Sequence, residues 1–261
     1  MSSEFINRIS PDEKSGMGPA SSHGWECQNM DCGALQVKGE AEVIFFDAAG
    51  TLIRLERPVG WHYAEVARRH GMSADEQRME SAFRAVWKAR ALRPASLGAR
   101  EEDDRPWWKA LALDVLHAGA PSAPKIDEDA WFEELYEHFG KPGVWVLYDD
   151  SRRCLERLGG RFRLAVISNF DRRLRLVLDD LGVASKFEHI VVSSEAGCEK
   201  PHPRIFRRAL EVMDVEAGRC LHVGDDPERD WAGAAAAGIG VFAVRRPEIT
   251  LDDLSVRPAP K

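Results

Sequence analysis

Five short apolar runs, separated by stretches with helical periodicity, constrain the fold of this chain more than any other feature. The runs occupy residues 43–46, 164–167, 190–192, 220–223 and 241–244. The later runs are separated by helical patterns, which cover residues 171–181, 203–213 and 230–237. Continuously apolar strands that alternate with helices are typical of a parallel sheet covered on both faces. The sequence therefore predicts an α/β fold, a Rossmann-like doubly wound parallel sheet of about five strands.

The gap between the first and second strands is too long for one crossover connection. It contains four further helical patterns, at residues 60–70, 74–92, 106–117 and 128–139. We therefore predict an inserted α-helical cap subdomain at residues 58–145 and a core domain at residues 42–57 and 146–261. Such an insert lies over the carboxyl ends of the strands, where these sheets bind ligands. Residues 1–41 lack periodicity and are interpreted as a flexible N-terminal extension.

The predicted cap carries six of the eight tryptophans of the chain. They are Trp61, Trp87, Trp107, Trp108, Trp131 and Trp145. We interpret them as the core of a small helical bundle, with the alternative that one or two line a substrate pocket.

Charge and composition argue against several classes of function. The formal net charge is −7, whereas a general nucleic-acid binder needs a basic face. No apolar stretch approaches the ~20 residues that a membrane-spanning helix requires. The five cysteines are scattered and odd in number, which fits free thiols in a reducing compartment. We expect a cytoplasmic protein, a monomer or homodimer, without nucleic-acid or membrane partners.

The first four predicted strands are followed by polar side chains. These are Asp47 after the first strand, Ser168 and Asn169 after the second, Lys200 in the loop after the third, and Asp225, Asp226 and Asp230 after the fourth. Parallel strands bring such clusters to one edge of the sheet. We therefore expect all four clusters to meet in one crevice.

The carboxylates of this crevice suit phosphoryl transfer. Asp47 can attack phosphorus and form an acyl-phosphate, which splits one difficult displacement into two easier ones. Mg²⁺ prefers oxygen ligands and binds through one or two carboxylates together with a substrate phosphate. Asp47 and Asp225 are expected as direct ligands, with Asp226 or Asp230 acting through water. For Asp230, a helix N-terminal charge is the structural alternative.

The other polar groups of the crevice suit phosphate binding. Ser168 can donate a hydrogen bond to a phosphate oxygen, or it can simply mark the entry to the next helix. Lys200 can balance the developing negative charge and hold the nucleophile in place. We expect Ser168, Asn169 and Lys200 to bind the phosphate of a small phosphorylated substrate.

With these clusters in order, the chain resembles hydrolases of the haloacid dehalogenase superfamily that carry a helical cap after the first strand. The four motifs of that family match residues 47–51, 168–169, 200–203 and 224–230. The resemblance implies Asp47 as the nucleophile, with Ser168 and Lys200 as phosphate-binding groups. It also implies Mg²⁺ on Asp47, on Asp225 and on the backbone carbonyl of Ala49.

Ala49 is also where the chain departs from the family pattern. Phosphatases of the family have an aspartate there, which protonates the leaving alcohol and later activates the hydrolytic water. Such an acid–base group contributes ~10²–10⁴-fold to the rate. The sequence therefore predicts a Mg²⁺-dependent phosphatase that is slow, or one that uses a replacement group such as Asp226 or a cap histidine.

Two other functions remain open at this stage. Phosphonoacetaldehyde hydrolases of the family have alanine at this position and form a Schiff base with a cap lysine, for which Lys88 and Lys109 are the candidates. Alternatively, the chain is a binding or regulatory protein that keeps the fold and the metal site but has little turnover.

Overall fold

The computed structural model describes residues 26–29, 35–38, 40–90, 92–96, 98–100, 104–121 and 125–259. Most of the predicted N-terminal extension lies outside these ranges. Its described parts include two short strands, β1 (Glu26–Asn29) and β2 (Leu35–Lys38), which pair antiparallel. A third strand, β3 (Glu40–Ala41), pairs in parallel with β11 (Arg257–Pro258) near the other end of the chain.

A five-stranded parallel sheet forms the centre of the molecule. Its strands are β4 (Val43–Phe46), β7 (Arg163–Ser168), β8 (His189–Val192), β9 (Cys220–Gly224) and β10 (Gly240–Ala243). Their order across the sheet is β10-β9-β4-β7-β8, and every pairing is parallel. The predicted α/β fold with a parallel sheet is confirmed. Because β4 lies between β7 and β9, the residue that follows it is adjacent to the ends of both neighbours.

Both faces of the sheet are covered, which explains why its strands are mainly apolar. Alternate side chains of β4 point to opposite faces, so Ile44 and Phe46 join one hydrophobic cluster and Val43 and Phe45 another. The first face is covered by α5 (Asp149–Leu158) and α6 (Arg173–Asp180). The second is covered by α8 (Pro203–Met213) and α9 (Gly233–Ala236). A single turn, α7 (Ser193–Ala196), follows β8.

Four helices follow the first strand of the sheet and pack around a hydrophobic cluster of their own. They are α1 (Val59–Arg69), α2 (Glu76–Ala89), α3 (Arg105–Gly119) and α4 (Glu128–His138). We call residues 59–138 the helical unit. At Gly60, α1 and α2 approach so closely that a Cβ would lie 2.3 Å from backbone atoms of α2. The chain enters and leaves the unit through an antiparallel pair of strands, β5 (Ile53–Leu55) and β6 (Trp145–Leu147).

One predicted helix begins at the wrong residue. The segment predicted as a helix over residues 230–237 instead starts as a π-helical turn, Pro227–Ala232, and continues as α9. The turn begins earlier because the side chain of Asp226 caps it, accepting hydrogen bonds from the backbone of Glu228 and Arg229 at 2.9 and 2.8 Å. No helix of the described residues is long and apolar enough to cross a membrane.

A buried histidine pair lies inside the helical unit, and we expect it to make the stability of the protein sensitive to acid. The Nδ1 of His62 lies 2.8 Å from the Nε2 of His138, and both side chains are buried. Burial, reinforced by His138, lowers the pKa of His62 to about 4, whereas the unfolded value is about 6.5. Between these values the unfolded chain binds more protons, so the free energy of unfolding falls as the pH falls.

We expect the His62 contribution to the free energy of unfolding to decrease by about 2 kcal/mol between pH 7.5 and pH 5. Urea denaturation at the two pH values measures it, and the His62→Phe variant should lose that part of the pH dependence. His117→Gln, a change of an exposed histidine on α3, is the control and should retain it. An equal decrease in wild type and His62→Phe would show that the pair does not carry the effect.

Candidate active site

The polar clusters predicted from the sequence meet at the carboxyl edge of the sheet. The ammonium of Lys200 donates hydrogen bonds to Oδ1 of Asp47 and to Oδ1 of Asp230, both at 2.6 Å. These three side chains are buried, with Lys200 only 2% exposed. Oxygen atoms of Asp47, Asp225 and Asp230 lie within 4.8 Å of one another. The site is therefore a compact group of three carboxylates around one buried cation.

The turn after β4 fixes Asp47 and Asp225 side by side. The carbonyl of Ala48 closes the turn by accepting hydrogen bonds from three successive backbone N–H groups, those of residues 51–53. Gly50 has a φ of +97°, and a Cβ there would lie 2.5 Å from Oδ2 of Asp225, so only glycine fits. The next residue, Thr51, donates a hydrogen bond from its hydroxyl to Oδ1 of Asp225 at 3.0 Å. The Gly-Thr pair thus positions the second carboxylate.

Asn169 holds the backbone of the loop that carries Lys200. Its Nδ2 donates to the carbonyl of Lys200 at 2.9 Å, and its Oδ1 accepts from the Lys200 N–H at 2.7 Å. The structure therefore gives Asn169 a role in placing Lys200, while its predicted contact with phosphate stays a prediction. Ser168 is buried, and its hydroxyl lies 3.4 Å from Oδ1 of Asp47.

His222 is a polar member of the site that the sequence analysis missed. It lies fully buried on β9, and its Nε2 is 2.9 Å from Oδ1 of Asp230. The other carboxylate oxygen of Asp230 accepts a hydrogen bond from the backbone N–H of Asp226 at 3.1 Å. The available signal was a histidine inside an otherwise apolar strand. Asp230 is thus held from several sides in contact with Lys200.

Asp226 lines the cavity, and its predicted action on the metal through water stays a prediction. Besides capping the π-helical turn, its carboxylate accepts a hydrogen bond from the guanidinium of Arg229 at 2.7 Å. Among the described residues, the close carboxylate group contains Asp47, Asp225 and Asp230 but not Asp226. With its oxygens engaged in this way, Asp226 is poorly placed to replace a missing acid–base group.

Burial and mutual repulsion shift the protonation of the carboxylates. Burial raises the pKa of Asp47 to about 7; Lys200 opposes this shift, and Asp230 and Asp225 add to it. Burial and the Asp230 charge also raise the pKa of Asp225. Burial alone would raise the pKa of Asp230 as well, but Lys200 and His222 outweigh it and hold that pKa well below its usual value.

The charge of this group fits a divalent cation. With all three carboxylates ionised, the single ammonium of Lys200 balances one of three negative charges, and a divalent cation would balance the other two. Oxygen donors gathered at this spacing are the ligands that Mg²⁺ prefers. The residues present therefore suit a hard divalent cation that would relieve the repulsion between Asp47, Asp225 and Asp230.

A cavity of about 370 Å³ opens from this group toward the helical unit. Asp47, Lys200 and the exposed residue Ala49 line it at the edge of the sheet. The opposite walls are mainly aromatic. Four of the six tryptophans of the predicted cap line the cavity, Trp87, Trp107, Trp108 and Trp145, whereas Trp131 is fully buried in the hydrophobic cluster of the helical unit. Trp108 also packs against that cluster, so the tryptophans divide between the bundle core and the cavity wall, and more of them line the cavity than predicted.

The cap histidine and cap lysines that the sequence analysis named as candidate catalytic groups do not line the cavity. Of the histidines and lysines in the described part of the chain, Lys200 alone lines it. Lys88 is exposed, and Lys109 pairs with Asp129 at 2.6 Å. The structure therefore brings neither a cap histidine nor a cap lysine to the site.

Lys200→Met is expected to lower the free energy of unfolding by about 3–5 kcal/mol, because it leaves two buried carboxylates without their cation. Urea denaturation at pH 7.5 in the presence of a chelator measures the loss. Lys88→Met, a change of an exposed lysine, is the matched control and should change stability by less than about 0.5 kcal/mol. Adding Asp230→Asn to Lys200→Met should recover part of the loss. A loss below about 1 kcal/mol would show that Lys200 is not the counter-charge of this group.

Similarity to known proteins agrees with this geometry. The sequence model of one protein family, haloacid dehalogenase-like hydrolase, matches residues 41–238. The chain is 38% identical to the mouse (Mus musculus) haloacid dehalogenase-like hydrolase domain-containing protein 3 over 208 residues, which are 78% of this chain and 82% of that protein.

Two solved structures share the fold. One is a HAD phosphatase from Thermococcus onnurineus, with a TM-score of 0.54 and 23% identity over 80% of this chain and 87% of that one. The other is described as a HAD hydrolase from Bacillus subtilis bound to magnesium, with a TM-score of 0.60 and 17% identity over 84% and 93%. At these identities the likeness concerns the fold alone.

Proposed function

The chain belongs to the haloacid dehalogenase-like hydrolase family, and we propose that it is a Mg²⁺-dependent phosphatase of a small phosphorylated metabolite that acts through an aspartyl-phosphate on Asp47. The observation that carries the proposal is the buried Asp47–Lys200 pair, which lines a cavity large enough for a small ligand. A phosphatase structure shares the fold.

Asp47 is proposed as the nucleophile because its carboxylate lies at the cavity and is oriented by a hydrogen bond from Lys200 at 2.6 Å. The Lys200 ammonium also offers positive charge where negative charge develops on the phosphoryl oxygens. The Ser168 hydroxyl, 3.4 Å from Asp47, can turn to donate to a phosphate oxygen. These three side chains account for attack and for phosphate binding.

Asp47, Asp225 and the backbone carbonyl of Ala49 would hold Mg²⁺, with Asp230 acting through water. When bound, Mg²⁺ supplies positive charge to the transferring phosphoryl group. The protein contributes the arrangement of its ligands, since Thr51 and Gly50 fix Asp225 and His222 fixes Asp230.

Ala49 leaves the proposed reaction without an acid–base group at position 49. Its methyl group lines the cavity and has no proton to give to a leaving oxygen. The leaving group therefore departs without help from this position, and water attacks the aspartyl-phosphate without a base there. The proposal is accordingly a phosphatase whose rate depends strongly on the leaving group.

A panel of phosphomonoesters and acyl phosphates tests the proposed function. We expect phosphate release that requires Mg²⁺ and stops when the cation is chelated. Ca²⁺ in place of Mg²⁺ is a useful control, because Ca²⁺ takes longer bonds and more ligands and should support little turnover. Absence of release from every compound would refute a phosphatase and favour a binding or regulatory protein. Release that persists in chelator would refute the requirement for Mg²⁺.

A further inference from the structure

We propose that the substrates are small aryl phosphates, in which the phosphate is esterified to a phenol-type oxygen and the ring carries no second anionic group. The inference rests on the proposed phosphatase function and specifies its substrate class. Three features of the molecule carry it: the rings around the cavity, the pairing of the cavity arginines, and the methyl group of Ala49.

The cavity wall formed by α2 and α3 is an aromatic surface. Trp87 stacks on Phe83 at 5.7 Å between ring centroids and lies nearly parallel to Trp108 at 6.3 Å. Trp107 meets Trp108 edge to face at 4.9 Å. All four side chains line the cavity. A further flat ring can pack here in the offset or edge-to-face arrangements that aromatic groups prefer.

The arginines in the cavity wall are paired with carboxylates of the protein, so they do not favour a second anionic group on the substrate. Each has a carboxylate partner: Arg90 with Asp114 at 2.8 Å, Arg93 with Glu199 at 2.6 Å, Arg173 with Asp171 at 2.6 Å, and Arg229 with Asp226 at 2.7 Å. Arg93 also lies over the Trp107 ring, 4.4 Å from its centroid. Their charges are thus compensated within the protein, and their planar groups help to hold the rings in place. The cavity therefore suits an uncharged ring.

Ala49 also favours an aryl phosphate, because it cannot protonate the leaving oxygen. In the proposed step, a carboxylate oxygen of Asp47 bonds to phosphorus as the bond from phosphorus to the ring oxygen breaks. The ring oxygen leaves with the electron pair as a phenolate and takes its proton from solvent. A phenol has a pKa of about 10, whereas an aliphatic alcohol is closer to water, about 15.7. Water then hydrolyses the aspartyl-phosphate, which releases phosphate and restores Asp47.

The volume of the cavity sets the size of the substrate. Small-molecule sites range from roughly 300 to 1,000 Å³, and this cavity of about 370 Å³ is near the lower end. It can take one or two rings together with the phosphate. A small metabolite is therefore the expected substrate, not a phosphorylated protein segment.

Three phosphate esters distinguish the effect of the aromatic ring from the effect of the leaving group. Phenyl phosphate has both a ring and a good leaving group, benzyl phosphate has the ring with an alkoxide leaving group, and butyl phosphate has neither. We expect kcat/KM for phenyl phosphate to exceed that for butyl phosphate by about 100-fold or more. Benzyl phosphate should share the low KM of phenyl phosphate and the low kcat of butyl phosphate.

Variants of the aromatic wall test recognition of the ring. Trp108→Ala should raise KM for phenyl phosphate by about tenfold, more than it raises KM for butyl phosphate, which has no ring. Trp61→Phe is the matched control, because Trp61 lies in the helical unit outside the cavity lining. Tryptophan fluorescence gives a readout without turnover: phenylphosphonate should bind about tenfold more tightly than methylphosphonate, and Trp108→Ala should remove the difference.

The outcomes distinguish this inference from the proposed function. If acetyl phosphate is hydrolysed in an Asp47-dependent way but butyl phosphate is used as well as phenyl phosphate, the substrate class is wrong and the phosphatase stands. Equal binding of the two phosphonates would also refute the aromatic site. If none of these compounds is hydrolysed, the proposed function fails and the inference fails with it.

Discussion

Asp47→Asn is expected to lower kcat for phosphate release by about 10⁴-fold or more. Asparagine has nearly the shape of aspartate, but its amide oxygen is a poor nucleophile and cannot form the aspartyl-phosphate. The loss should appear in kcat for every substrate, because the covalent step is common to all of them. Steady-state phosphate release with phenyl phosphate at saturating Mg²⁺ measures it.

Two controls keep this result interpretable. Near-ultraviolet circular dichroism should show that Asp47→Asn is folded like the wild type, since the substitution keeps the size of a buried side chain. Asp180→Asn, a change of an exposed aspartate at the end of α6, should leave kcat unchanged. Activity of Asp47→Asn within tenfold of the wild type would contradict the assignment of Asp47 as nucleophile.

Ala49→Asp is expected to raise kcat for butyl phosphate by tenfold or more, within the ~10²–10⁴-fold scale of a positioned acid–base group. The side chain of Ala49 is exposed at the cavity, so a carboxyl group fits there without displacing the core. The gain in kcat/KM should be smaller for phenyl phosphate than for butyl phosphate, because kcat/KM covers the steps up to departure of the leaving group and a phenolate needs less protonation. The ratio of the two kcat/KM values therefore reports on proton transfer to the leaving group.

Ala49→Asn is the matched control for this gain. It adds a side chain of the same size and polarity but no group that can transfer the proton, so it should not increase kcat for either ester. An equal gain in Ala49→Asn would mean that polarity or packing, and not proton transfer, had changed. No gain in Ala49→Asp would favour another reaction or an inactive site.

The strands of the sheet were predictable because they are buried on both faces. A strand such as β4 presents apolar side chains to two hydrophobic clusters, and each predicted strand lies within one residue of the observed bounds. The parallel direction of the strands then follows from the helices between them, and it brings the polar clusters to one edge of the sheet. The convergence of Asp47, Lys200 and Asp225 needed no further information.

Strands and helices with a weaker apolar pattern were not predicted from the sequence. The strands β5 and β6 are three residues long, and the helical unit separates them in sequence. The helix α5 has a charged sequence with only a few apolar positions. Their positions depend on tertiary pairing, which local pattern does not reveal.

Side-chain direction was the main gap in predicting the site. Helical periodicity shows that Trp87 and Trp108 are on apolar faces, but only the packing of the helices decides whether such a face meets the core or a cavity. The sequence also did not reveal that the carboxylate of Asp226 caps a helical turn, because that contact depends on where the turn begins. The contact between His222 and Asp230 is likewise one that spacing alone does not indicate.

We expect Asp47 to become phosphorylated in a site that lacks an acid–base group at position 49. Without that group, hydrolysis of the aspartyl-phosphate should be slow compared with its formation from a good leaving group. Rapid mixing of the protein with phenyl phosphate and Mg²⁺, followed by acid quenching and mass spectrometry, should show one phosphoryl group on Asp47 in a large fraction of the protein, and a smaller fraction in Ala49→Asp. Continued turnover with no phosphorylated Asp47, or a phosphoryl group on another residue, would contradict the claim.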